Sequence, residues 1–131
     1  MSQSPFLFMK ENSQTVLWND SADPKELKDA LTWGIVGATC NPVIALSAIK
    51  ADKDFWVGRI KEYAKANPAA TDDAIGWAMV KELSLNAAKI LEPEFEKYNG
   101  RNGRLSIQTD PRNFRDAKAL TAQAIEFSKL A

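Results

Sequence analysis

Gly37-Ala38-Thr39-Cys40-Asn41-Pro42-Val43 is the stretch on which the reading of this chain turns. It follows a short apolar pair, Ile35-Val36, and leads into Ile44-Ala45-Leu46-Ser47-Ala48-Ile49. Asparagine is a strong helix N-cap. Proline suits the first helical position, where its missing N–H would have had no intrahelical partner. The stretch therefore reads as strand, tight turn, helix, with a polar Thr-Cys-Asn set at the C-terminal end of a buried strand. Functional side chains of α/β proteins gather at that location.

Working outward, Thr15-Val16-Leu17-Trp18 is β-prone and apolar, and Asn19-Asp20-Ser21 ends it, so a first strand is predicted there. Residues 1–14 read as a loose lead-in. Asp23-Pro24-Lys25-Glu26 has the form of a helix start, with Asp23 as N-cap, Pro24 at the first helical position and Glu26 placed for a capping box. Leu27, Ala30 and Leu31 carry that helix to a stop at Gly34. Ile35 to Thr39 is the second strand. About fifteen residues, mostly helical, separate the two strands, which predicts a parallel βαβ unit with a right-handed crossover.

Beyond the Asn41-Pro42 helix, residues 52–97 read as helical, broken near Asn67-Pro68 and restarted at the cap Thr71-Asp72-Asp73. Ile75, Met79, Leu83, Ala87, Leu91 and Phe95, with Ile90 beside them, form an apolar stripe that is predicted to face a core rather than a ligand. Trp56 and Trp77 are likewise read as packing residues. Asn99-Gly100-Arg101-Asn102-Gly103 is a loop, and Arg104 to Gln108 is a third strand ended by Thr109-Asp110-Pro111. A last helix is predicted from about Pro111 to Leu130, burying Phe114, Ala117, Leu120, Ala124 and Phe127. No internal repeat or low-complexity segment interrupts this order.

Composition narrows the chemistry. A length of 131 residues fits one domain with room for a core. Basic and acidic residues both number 17, so no charge excess points to nucleic acid or to an acidic membrane surface. Histidine is absent, which removes Ser-His and Cys-His nucleophile pairs and histidine-based metal sites. The single Cys40 excludes an intrachain disulfide and fits a reducing compartment. No apolar run approaches the roughly 18 residues of a membrane span, and the first nine residues lack the basic flank of a signal peptide. A cytoplasmic protein without metal or other cofactor is the expectation.

Three polar side chains occupy corresponding places: Asp20 after the first strand, Asn41 after the second, Gln108 at the end of the third. Parallel strands would bring all three to one rim. A carboxylate beside two amides can move a proton and hold substrate hydroxyls. The competing reading is that each of them caps a helix or satisfies a turn, which Asn41 is expected to do in any case. Three parallel strands do not close a barrel, which takes eight strands and about 250 residues, and an open sheet leaves unpaired edges. The expectation is the first part of something larger.

The same residues resemble the transaldolase family. Leu17-Trp18-Asn19-Asp20-Ser21-Ala22-Asp23 looks like its first-strand segment, and Gly37-Ala38-Thr39-Cys40-Asn41-Pro42 is similar to its Gly-x-Thr-Ser/Thr-Asn-Pro signature. Residues Gly103 to Arg112 resemble its third-strand segment. The resemblance runs from about residue 15 to the end of the chain. It implies an α/β fold of parallel βα units, the N-terminal part of a TIM (β/α)8 barrel with about three strands. The helical region 51–99, between strands two and three, would be an insertion like that of the larger bacterial transaldolases.

It also implies a transferase that moves a dihydroxyacetone unit between sugar phosphates, in pentose phosphate metabolism, through a lysine Schiff base. Asp20 would then be the proton-transfer carboxylate. Thr39 and Asn41 would bind substrate, with Asn41 on the dihydroxyacetone hydroxyls. Gln108 would stand where many transaldolases have a glutamate that orients water.

Cys40 replaces the family's Ser or Thr, and Val43 a smaller residue. Gln108 is similar to the fructose-6-phosphate aldolase branch, which makes simple aldol cleavage an alternative activity. The Schiff-base lysine belongs to a later strand of the family fold. Lys10, Lys50 and Lys118 fall on predicted loops or helices and do not match it. The expectation is a truncated chain, inactive alone, that either joins a missing C-terminal part or self-associates through its open sheet edge. A non-catalytic module that binds sugar phosphate or self-associates is the reading from a different class.

Overall fold

The structure is a computed structural model that describes residues 4–130. Its centre is a three-stranded parallel sheet of β1 (Trp18–Asn19), β2 (Gly37–Cys40) and β3 (Arg104–Ile107), in that spatial order. Helix α2 (Pro24–Thr32) joins the first two strands. Helices α3 (Pro42–Ala51), α4 (Lys53–Ala66) and α5 (Asp72–Lys97) join the second to the third. A 3-10 turn, Pro111–Asn113, and helix α6 (Ala117–Ser128) follow. The alternation is that of successive units in a (β/α)8 barrel, laid out here as an open α/β sheet.

The predicted caps hold these helices. Asp23 Oδ1 accepts from the N–H groups of Lys25 and Glu26, both at 3.0 Å. The reciprocal half of the capping box is made differently, because the Asp23 N–H goes to Ser21 Oγ at 3.2 Å and leaves Glu26 exposed. Thr71 Oγ1 accepts from the Ala74 N–H at 3.2 Å and opens α5.

Two elements at the start of the chain differ from the prediction. The first strand pairs at Trp18–Asn19 rather than over 15–18, since its register is fixed by Trp18 opposite Gly37 and Asn19 opposite Ala38. Of the lead-in, residues 1–3 lie outside the described residues, but Pro5–Asn12 is a helix, α1, with proline in its first turn. Tertiary contacts hold α1: Lys10 Nζ donates to Glu94 Oε2 at 3.2 Å and lies over the Tyr98 ring.

The core is one cluster centred on α5, whose Met79, Leu83, Ala87 and Leu91 are buried against the sheet and the neighbouring helices. Fully burying Met79, Leu83 and Leu91 contributes on the order of 5–9 kcal/mol before chain entropy is subtracted. That is as large as the net stability of a typical domain. Phe95 lies past the end of this stripe, exposed, with the Arg104 guanidinium 5.4 Å from its ring centroid. Trp56 is buried in the core, and Trp77 packs on it and against Phe127.

The last helix is not continuous. Asp110 caps the 3-10 turn, and Asp116 then caps α6 through the Ala119 N–H at 2.9 Å. The chain turns between the two caps, so the predicted stripe loses its phase. Phe127 is buried and Leu120 half-buried, whereas Ala117 and Ala124 are exposed and Phe114 is 70% exposed.

Candidate functional site at the strand ends

Residues along a strand alternate between faces, and register partners in neighbouring strands share one. Ala38 and Cys40 of β2 point to the buried side. The thiol of Cys40 meets Ser84 of α5, and burial pushes it above its ordinary value while the Ser84 hydrogen bond acts in the opposite direction. The alternate residues, Gly37, Thr39 and (beyond the strand, in extended backbone) Asn41, therefore belong to the opposite face. Thr39 pairs with Ser106, and the Gln108 N–H donates to the Cys40 carbonyl at 3.0 Å, so the ladder continues one step past β3. By this alternation Thr39, Asn41, Ser106 and Gln108 share a single face, and they are exposed or half-buried.

Asp20 joins this set by a direct bond: Thr39 Oγ1 donates to Asp20 Oδ1 at 2.6 Å. The pair links the exit of β1 to the end of β2, as expected of a shared rim. A hydroxyl donor this close fixes one carboxylate oxygen and leaves the other able to accept a proton. Asn41 takes the capping role expected of it. Its Oδ1 accepts from the Ile44 N–H at 2.8 Å and caps α3. That bond fixes the amide plane, and the NH2 group remains as a two-proton donor.

Trp18 frames the lower part of the face. A Cβ on Gly37 would come within 2.8 Å of two indole carbons of Trp18 and of the Arg104 carbonyl oxygen, so only glycine lets the ring lie across β2. Ser106 was missed by reading strand ends alone. Period-two alternation within Arg104 to Gln108 puts it on the face of Gln108 and was the available signal.

Every lysine of this chain lies on a helix except Lys129, which caps α6, so none stands on a strand of this face. Among the described residues no group of three or more His, Cys, Asp and Glu could hold a metal ion. No helix among them is long and apolar enough to cross a membrane. A groove of about 790 Å³ borders Asp20 on its helical side, but Thr39, Asn41 and Gln108 do not line it.

Comparison with known proteins gives a concordant result. The family model for transaldolase/fructose-6-phosphate aldolase matches residues 17–131. The transaldolase of Kocuria rhizophila is 34% identical over 98 residues, covering 75% of this chain and 26% of the relative. Those of Mycobacterium marinum and Mycolicibacterium paratuberculosis are 30% and 32% identical over 137 residues, each covering 98% of this chain and 35% of the relative. The chain thus spans about a quarter to a third of the length of these curated relatives.

Proposed function

The chain belongs to the transaldolase/fructose-6-phosphate aldolase family, and from that premise we propose a role for its strand ends. They form the proton-transfer and hydroxyl-holding part of a site that moves a dihydroxyacetone unit between sugar phosphates through a Schiff base. The observation that carries the reading is the single polar face shared by Thr39, Asn41 and Gln108, with Asp20 bonded into it.

Each group has a defined task. Asp20 takes the proton of the substrate hydroxyl as the carbon–carbon bond breaks, and returns it when the bond re-forms with the acceptor aldehyde. Thr39 holds that carboxylate in place through its 2.6 Å bond. Asn41 presents its NH2 group to the hydroxyls of the dihydroxyacetone unit, its carbonyl end being fixed on α3. Gln108 donates to and accepts from a water at the same rim. The amine nucleophile comes from residues other than these 131, because the lysines here stand on helices or a helix cap and none on a strand of the face.

Gln108 favours a second reading, direct aldol cleavage of fructose 6-phosphate. An amide positions water without serving as a carboxylate base, which weakens the case for transfer over cleavage.

The test uses fructose 6-phosphate, borohydride and intact-mass measurement. The chain alone should gain no adduct. Mixed with the segment of the Mycobacterium marinum transaldolase that follows its matched residues, it should restore turnover, with the reduced adduct on that segment. Asp20→Ala in this chain should remove the turnover, and Asn41→Ala should lower it. A reduced adduct on this chain would place the nucleophile among its own lysines and overturn the division of roles.

A further inference from the structure

The groove beside Asp20 shares that carboxylate with the site above but is lined by none of Thr39, Asn41 and Gln108. It lies between the first turn of α2, α3 and the start of α4, with Ile90 of α5 also lining it. Val43, Ile44, Phe55, Trp56 and Ile90 make it apolar, and Val43 and Phe55 are 73% and 50% exposed. Its charged lining is Asp20, Asp23, Glu26 and Asp52 against Lys25 alone. That surplus of carboxylates repels a phosphate, so the groove is not an extension of the sugar-phosphate site. It suits an apolar group flanked by cations.

The chain carries such a group at the other end of the strand order. Phe114 follows the exit of β3, 70% exposed, between the 3-10 turn and α6. The Arg115 guanidinium sits 5.1 Å from its ring centroid, and Lys118 stands one turn on. The nearby Asp116 is engaged in capping α6, and Arg112 is engaged with Asp110 and Asp73. The segment is held by caps at both ends, so little order has to be gained on docking.

We propose that the groove of one copy receives Phe114, with Arg115 and Lys118, of a second copy of this chain. The two patches differ, so the contact is head-to-tail and, copy by copy, builds a ring or an open chain. A single ring with two cations buries far less than the roughly 1,600 Å² of a standard interface, which makes the association weak and concentration-dependent. It uses neither edge of the sheet.

Sedimentation velocity on the full chain, from about micromolar to about millimolar, reads the association directly. The weight-average mass should rise beyond that of a dimer. It should fall back at about 0.5 M salt, where surface charges are screened. Phe114→Glu, which removes the inserted group, and Val43→Arg, which fills the groove with a cation, should each leave monomers with the native circular dichroism spectrum. Mixed in equal amounts, the two variants retain one good groove and one good Phe114, and should stop at a dimer. A wild-type chain that stays monomeric throughout, association undiminished in either variant (as edge-to-edge strand pairing would give), or a mixture that stays monomeric would each overturn the proposal.

Discussion

Asn41 offers a way to separate folding from chemistry within one side chain. Its Oδ1 accepts the Ile44 N–H at 2.8 Å, which leaves both protons of its NH2 group to donate. Replacing it with serine keeps an N-cap acceptor of similar quality and deletes the amide donor, whereas alanine deletes both. Loss of such a cap costs about 1 kcal/mol, within a range of roughly 0.5–2. For a chain of this length that lowers the melting temperature by about 4 °C. Asn41→Ser should stay within about 1 °C of the native chain, a margin set by the near-equality of serine and asparagine as caps. In the reconstituted mixture both variants should lose turnover. Each lost hydrogen bond to a neutral hydroxyl is worth about 0.5–1.5 kcal/mol, or about 2- to 12-fold in rate. Thermal unfolding and initial rates measured on the same preparations are sufficient. If Asn41→Ser melts as low as Asn41→Ala, the side-chain oxygen is not what holds α3. If Asn41→Ser keeps full turnover, the amide donor plays no part in binding the hydroxyls.

Other perturbations have equally definite outcomes. Gly103 has φ +73°, and a Cβ there would lie 2.2 Å from the Phe95 nitrogen, so Gly103→Ala should cost more than about 3 kcal/mol in urea unfolding; a loss under about 1 kcal/mol would show that α5 can yield. Asp110 is held at about 2, below its ordinary 3.8, chiefly by hydrogen bonds from Arg112. The stabilisation it provides is therefore complete above about pH 4 and lost as the pH falls through about 2. Denaturation between pH 5 and pH 2 should show this dependence in the native chain and not in Asp110→Asn. Cys40 is 2% exposed with its thiol raised by burial, so a thiol reagent should label it at least about 100-fold more slowly in the folded chain than in urea. Gln108→Glu should raise transfer relative to cleavage in the reconstituted mixture, and an unchanged ratio would mean that another group orients the water.

Much of this was legible in the sequence where a local rule and the tertiary fold agree. Asn41-Pro42 and Asp23-Pro24 each combine a side-chain acceptor with a residue that has no N–H to satisfy, and both start helices where they should. The α5 stripe was legible because four turns of i+4 spacing leave little freedom of phase. The last helix was not. Asp116 is a second N-cap five residues after Pro111, and its neighbours offered an apolar pattern that masked it. Helix α1 has apolar residues without a clear stripe and is held by distant partners, Glu94 and Tyr98, that local sequence does not reveal. At the site, strand ends picked out Asp20, Asn41 and Gln108. The bond from Thr39 to Asp20 depends on the register between two strands, which no single segment encodes.

The position of α5 also decides where this chain can be cut and rejoined. By length alone, residues 51–99 look like a cassette that could be lifted out between two strands. Yet α5 packs on β2, β3, α2, α3 and α4, so excising it would remove the floor beneath β2 and β3. The tolerant seam is the turn after α4, where the Ala70 N–H closes on the Asn67 carbonyl and Pro68 and Ala69 stand exposed. New termini or a grafted domain placed at that turn would leave the scaffold intact, whereas a deletion running into Met79 would not.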